Sequence, residues 1–135
     1  MLQTEGKQYH IPACPGEVGK YCILPGDPGR CEKIAKFFDN PTYLATNREY
    51  CIWNGYLNGE KVSVCSTGIG GPSTAIAVEE LVACGAETII RIGTCGSINK
   101  ECHVRDLLLA EAVDNGYGVV RDDMTVIVSK IVNRQ

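Results

Sequence analysis

The sequence predicts an α/β fold: a mixed, largely parallel central sheet with flanking helices and a β-hairpin insertion. Three observations carry this. Apolar, strand-like runs alternate with helix-like stretches along the chain, the pattern of successive βα units. Three of those runs end in glycine-rich turns: Leu24-Pro25-Gly26-Asp27-Pro28-Gly29-Arg30, Ser66-Thr67-Gly68-Ile69-Gly70-Gly71-Pro72-Ser73 and Arg91-Ile92-Gly93-Thr94-Cys95-Gly96. Finally, Asn58-Gly59 joins two runs directly, and that dipeptide favours a two-residue hairpin.

Taken in order, Tyr21–Pro25 reads as a short strand. Asp27 suits an N-cap and Pro28 the first helical position, so a helix is expected to begin there. Cys31, Ile34, Ala35 and Phe38 recur at helical spacing as one apolar stripe, with Glu32, Lys33 and Lys36 facing water, and Asn40-Pro41 ends the helix. Strands over Thr42–Thr46, Tyr50–Leu57 and Lys61–Thr67 follow, the last two flanking Asn58-Gly59. Pro72 opens a second helix with a buried stripe of Ala75, Val78, Leu81 and Val82, a wet side of Glu79 and Glu80, and a stop at Gly85. Thr88–Gly93, Asp106–Val113 and Thr125–Val132 complete the set of strands.

Composition narrows the function. The 135 residues suit one modest core, and 44% apolar content is ordinary for a folded soluble domain. A net charge of −3 without a basic block argues against nucleic acid as partner. The absence of a long apolar run or a signal-like start argues against a membrane partner and for the cytoplasm. Eight cysteines stand mostly inside apolar runs without C-x-x-C spacing, which reads as buried, reduced thiols rather than a metal site.

Loops at the carboxyl ends of strands in an open α/β sheet line one crevice, and glycines there let backbone N–H groups approach an anion. Two of the three turns also carry an arginine. Arg91 interrupts Ile89-Ile90-Arg91-Ile92, a run expected to be buried on both faces, so its guanidinium needs an anionic partner, either a carboxylate or a ligand. Arg30 falls in the first turn of its expected helix, where an anion is favoured and a cation is not, unless it is simply solvated. No turn completes a Walker A loop or G-x-G-x-x-G, which leaves a small phosphorylated or phosphate-using ligand.

The three turns, their order and the stretch Thr67-Gly68-Ile69-Gly70-Gly71-Pro72-Ser73-Thr74-Ala75-Ile76-Ala77-Val78-Glu79-Glu80-Leu81 resemble the uridine phosphorylase branch of the nucleoside phosphorylase family, over about residues 10–113. The resemblance implies a pentosyltransferase reaction: nucleoside plus inorganic phosphate gives free base and ribose 1-phosphate, with phosphate as co-substrate and no other cofactor required. It implies a phosphate site of Gly26, Arg30, Arg91 and Thr94, with Arg91 and Thr94 as its catalytic members. It further implies that Arg48 reaches a neighbouring subunit's phosphate and that His10 crosses to a neighbour's ribose. Glu49, Ile69 and Ser73 match positions that hold a monovalent cation such as potassium, and a homodimer or higher homo-oligomer is implied. His10 also fits an ordinary surface histidine. A purine nucleoside phosphorylase is the nearest alternative, and a non-catalytic phosphate-binding or oligomerising remnant is another.

The resemblance divides the chain into a phosphorylase-like half, 1–113, and a divergent tail, 114–135. Members of that family are about twice this length, so the fold is expected to be nucleoside phosphorylase-like but truncated. No residues match the family's base-recognising Gln and Arg or its ribose-gripping Met-Glu pair, so weak or absent activity is expected of the chain alone. Asp122 and Asp123 read as turn residues, followed by a strand that covers a sheet edge.

Overall fold

Strand β1 (Tyr21–Leu24) leads into a 3-10 turn, Pro28–Arg30, and the short helix α1 (Cys31–Ala35). Strands β2 (Asp39–Asn47), β3 (Tyr50–Leu57) and β4 (Glu60–Cys65) follow, then helix α2 (Gly71–Ala83). These elements belong to one compact unit, residues 1–89, and β5 (Thr88–Cys95) passes from it into a second, 90–135, which also holds β6 (Leu107–Ala110) and β7 (Val126–Ile131). The computed structural model describes residues 6–95, 100–101, 103–110 and 126–131. Gly96, Cys102, Val113, Asp114, Asp122, Asp123 and the 113/114 boundary lie outside the described residues.

In the first unit the strand order is β2-β3-β4-β1. β1 and β4 are parallel, with Tyr21 opposite Val62, and β3 is antiparallel to both β2 and β4. Alternation along the strands sends side chains to two cores. Cys22, Leu24, Tyr50, Ile52 and Cys65 meet Ala77 and Leu81 of α2, Cys84 just after it, and the buried Ile11 and Ala13 before β1. On the other face Val62 and Val64 meet Cys31 and Ala35 of α1, with Phe38. Each fully buried side chain of Leu or Val size contributes about 1.5–3 kcal/mol. In the second unit β7 lies between β5, parallel, and β6, antiparallel. The mixed α/β class expected from the sequence is therefore observed, hairpins included.

Four details differ from expectation. Helix α1 ends at Ala35, before Phe38, because Phe38 is buried by the sheet: a Cβ on Gly55 would stand 2.5 Å from Phe38 Cβ. Residues Asp39 to Pro41 belong to β2, whose outer position in its sheet leaves a proline without a ladder partner to lose. On α2 the buried positions are Ala77 and Leu81, whereas Ala75 and Val82 are exposed. Glu80, expected on the wet side, is instead only 14% exposed, because residues 10 and 11 bind it. The helix stops as expected at Gly85, at φ +108°, with Gly85 N–H donating to Val82 O and Ala86 N–H to Leu81 O.

Candidate functional site

The first two glycine-rich turns are joined through their backbones. Beyond β1 and β4 the two loops bond to each other directly: Thr67 N–H donates to Pro25 O at 3.0 Å and Gly68 N–H to Gly26 O at 2.9 Å. Gly68 sits at φ +69°, and a Cβ there would lie 2.8 Å from Glu49 Cγ and 2.9 Å from Glu49 Cβ. Glycine is thus required twice at this position, by its dihedral and by the approach of Glu49.

Glu49 is itself fixed. It occupies the two-residue turn between β2 and β3 beside Arg48, which is exposed at φ +53°. The buried Ser66 hydroxyl donates to Glu49 O at 2.5 Å and accepts from Cys51 N–H at 2.8 Å, locking this turn against the end of β4. Between the two loops and the hairpin turn lies a concavity of about 500 Å³, lined by Gly26, Asp27, Pro28, Glu49, Gly68 and Ile69.

Of the site residues expected from sequence, Gly26, Glu49 and Ile69 line this concavity. Ser73 is tied to the same loop, its hydroxyl 3.0 Å from Ile69 O and 3.2 Å from Gly70 O. Ile69 is 99% exposed, so its side chain contributes nothing to the core. Arg30 is half-buried, but it closes the 3-10 turn rather than a helix's first turn, with its N–H bonded to Asp27 O. Helix α1 has only five residues, so the macrodipole argument for Arg30 loses its force.

Arg91 and Thr94 stand on β5 in the second unit. Arg91 is half-buried rather than enclosed on both faces, and its Nη1 donates to Ile92 O at 3.1 Å. Thr94 is exposed. His10 lies in the first unit against Glu80, with Nδ1 2.6 Å from Oε1.

The sequence reading missed Asp27 and Pro28 as lining residues, treating them as helix-start signals. Asp27 does cap its turn, its Oδ1 accepting from Gly29 N–H at 2.9 Å, and it borders the concavity as well. The pair Glu80 and Asn47, which hold His10 from 70 and 37 positions away, left no local signal at all.

Ionisation is perturbed among buried thiols and at Tyr50. Burial pushes the Cys31 and Cys22 thiols up to about 12, and Cys65 well above its ordinary value. Tyr50, whose hydroxyl donates to Ser73 O at 3.0 Å, is also raised, first by burial and then by Glu49 and Glu80. The six described cysteine side chains are free thiols, and among the described residues no group of three or more His, Cys, Asp or Glu could hold a metal. No described helix is long and apolar enough to cross a membrane.

The sequence profile of the Phosphorylase superfamily matches residues 20–127. A uridine phosphorylase of Thermococcus kodakarensis is 51% identical over 108 residues, which cover 80% of this chain and 39% of that protein. The uridine phosphorylase of Escherichia coli K12 is 54% identical over 90 residues, 67% of this chain and 36% of that protein. A guanosine phosphorylase of Halorubrum lacusprofundi is 47% identical over 104 residues, 77% and 43% of the two chains. The crystal structure of uridine phosphorylase from Vibrio fischeri ES114 superposes with a TM-score of 0.78 at 42% identity, covering 82% of this chain and 46% of that one. The chain thus spans less than half the length of these relatives.

Proposed function

Because the chain belongs to the phosphorylase superfamily, we propose that it is a uridine phosphorylase-like protein carrying the phosphate side of a phosphorolysis site. The observation that carries this reading is the pair of backbone-joined loops around Gly26 and Gly68, which border one concavity together with Asp27, Pro28, Glu49 and Ile69. The glycines of these loops let a small anion come close to the backbone.

In the reaction, a phosphate oxygen bonds to C1′ of the nucleoside as the C1′–N bond breaks, and the base leaves with the bonding pair and takes up a proton. Positive charge develops on the ribose ring in between. The residues that match the family's phosphate ligands are Gly26 and Arg30 in the first unit and Arg91 and Thr94 in the second, with Arg48 serving the phosphate of a neighbouring subunit. The phosphate's own charge then stabilises the cationic sugar. His10 meets the ribose of a neighbouring subunit, which makes a homodimer or larger homo-oligomer part of the proposal. Glu49, the Ile69 carbonyl and the Ser73 hydroxyl form an all-oxygen set, the chemistry that suits a hard monovalent cation such as potassium. We place the protein in the cytoplasm, where nucleoside and phosphate meet.

A purine substrate is the second reading, favoured by the guanosine phosphorylase relative. The test is calorimetric titration with inorganic phosphate, followed by uridine or guanosine with phosphate and detection of the free base. Saturable phosphate binding supports the phosphate-site reading, and its absence overturns it. Binding without release of either base identifies a non-catalytic phosphate-binding protein.

A further inference from the structure

Glu80 on α2 is the most heavily used carboxylate among the described residues of the first unit. Its Oε2 accepts from the N–H of Ile11 at 2.7 Å and from the N–H of His10 at 3.0 Å. Its Oε1 lies 3.2 Å from the same His10 N and 2.6 Å from His10 Nδ1. At 14% exposure it is screened from water, while the His10 side chain is 29% exposed. Asn47 Nδ2 donates to His10 O at 2.7 Å, and the Tyr9 ring stands edge-on to the imidazole at 4.7 Å.

This arrangement exceeds what anchoring a chain segment needs. The two backbone N–H groups alone would tie residues 10 and 11 to α2. The additional contact to Nδ1 means that one carboxylate grips a histidine by its main chain and its ring together. Only the ring nitrogen nearer the backbone can close that grip, so the side-chain rotamer is fixed along with the main chain. Backbone N–H groups can only donate, and Glu80 as a carboxylate has only acceptor oxygens, so the hydrogen between Oε1 and Nδ1 belongs to Nδ1. In a neutral imidazole the proton is then on Nδ1, and Nε2 carries a lone pair.

We propose that Glu80 is a positioning residue: with Asn47 holding the backbone, it fixes His10 as the Nδ1–H tautomer and thereby makes Nε2 a hydrogen-bond acceptor for a hydroxyl-bearing ligand. Identifying that hydroxyl as one on a sugar rests on the phosphorolysis reading above. The tautomer does not rest on it. A ring free to exchange tautomers would present a donor for part of the time and would hold such a hydroxyl less well. The logic is that of a carboxylate orienting an imidazole, which fixes both which nitrogen works and where it points.

Ring-nitrogen NMR of the histidine-labelled chain, at a pH where the imidazole is neutral, reads the tautomer directly. In the wild type His10 is expected to show Nδ1 protonated in about tenfold excess or more, the ratio expected for a charge-assisted hydrogen bond. A wild-type His10 protonated mainly on Nε2 overturns the proposal without recourse to any variant. In Glu80→Gln, the ratio is expected to fall towards that of a free histidine. If that variant folds and keeps the wild-type ratio, something other than Glu80 fixes the ring and the proposal fails. Asn47→Ala leaves the Nδ1 contact in place, so its tautomer ratio is expected to match the wild type, and a collapse of the ratio there would also refute the assignment to Glu80. Absence of base release with uridine or guanosine would bear on the reaction and leave these measurements standing.

Discussion

Replacing Gly68 with alanine tests the construction of the site at one atom. The new Cβ meets two separate obstacles. The backbone dihedral, φ +69°, lies in the left-handed region, where a residue with a Cβ loses about 1–2 kcal/mol. In addition the Cβ would lie 2.8 and 2.9 Å from Glu49 Cγ and Cβ, too close without movement of Glu49, and overpacking of this kind costs about 1–3 kcal/mol. The expected loss for Gly68→Ala is therefore about 2–5 kcal/mol. The two parts separate in a double-mutant cycle with Glu49→Gly, which removes both crowded atoms and leaves the dihedral untouched. Urea unfolding of the wild type, the two single variants and the double variant should give a favourable coupling of about 1–3 kcal/mol, with a residue of about 1–2 kcal/mol that no change at Glu49 recovers. Additivity within about 0.5 kcal/mol would show that the loop moves away from Glu49 freely, and the account of a locked turn would be wrong.

Arg91→Ala should weaken inorganic phosphate binding by roughly tenfold or more, since a charged bidentate contact is worth about 1.5–3 kcal/mol, and unchanged calorimetric affinity would remove Arg91 from the phosphate site. Release of uracil from uridine and phosphate by the 135-residue chain is expected to fall below detection, because no residues of this sequence match the family's base- and ribose-contacting segments; turnover within the usual enzymatic range of about 1–1,000 per second would refute that. The raised thiols predict alkaline sensitivity. A thiol whose ionisation is pushed up by burial contributes its stability in full below the ordinary value of 9.0 and loses it as pH rises towards the folded value, about 12 for Cys22 and Cys31 and about 11 for Cys84. The unfolding free energy from urea titrations should hold from pH 7 to 8 and fall above pH 9, by up to about 1.4 kcal/mol per pH unit per thiol, and a flat profile to pH 10.5 would count against buried, unpaired thiols. Sedimentation at micromolar concentration should show self-association, and a strictly monomeric chain would argue against sites shared between subunits.

How legible the fold was depends on whether a residue's environment was local. Tyr50–Leu57 is a strand with the bounds expected, and Asn58 and Gly59 take positive φ as a tight hairpin needs, because turn chemistry is written in adjacent residues. Phe38 was recognised as buried, but through a helical stripe that stops at Ala35; its actual partner is a space left open at Gly55, 17 positions on and without a side chain to announce it. The face of α2 was misjudged for a related reason. Glu80 looked like a solvated charge, and only the arrival of residues 10 and 11 turns it inward. Within the site, the glycine turns signalled Gly26 and Gly68 plainly, whereas Ser66, read as the end of the Lys61–Thr67 strand and the opening of a glycine-rich turn, gave no local sign that it locks the Glu49 turn.

The bonds from Thr67 to Pro25 and from Gly68 to Gly26 also bear on how this region can change over evolutionary time. Two loops joined by successive backbone bonds cannot vary in length independently: one residue inserted after β1 would shift Gly26 away from Gly68 N–H unless a matching insertion followed β4. Length variation should therefore accumulate at the Asn58-Gly59 hairpin, whose turn bonds to neither loop, and be scarce at the paired turns. A library of single-residue insertions across the first unit would show this as a sharp contrast, with tolerance at the distal hairpin and paired, compensatory changes where the two chains run side by side.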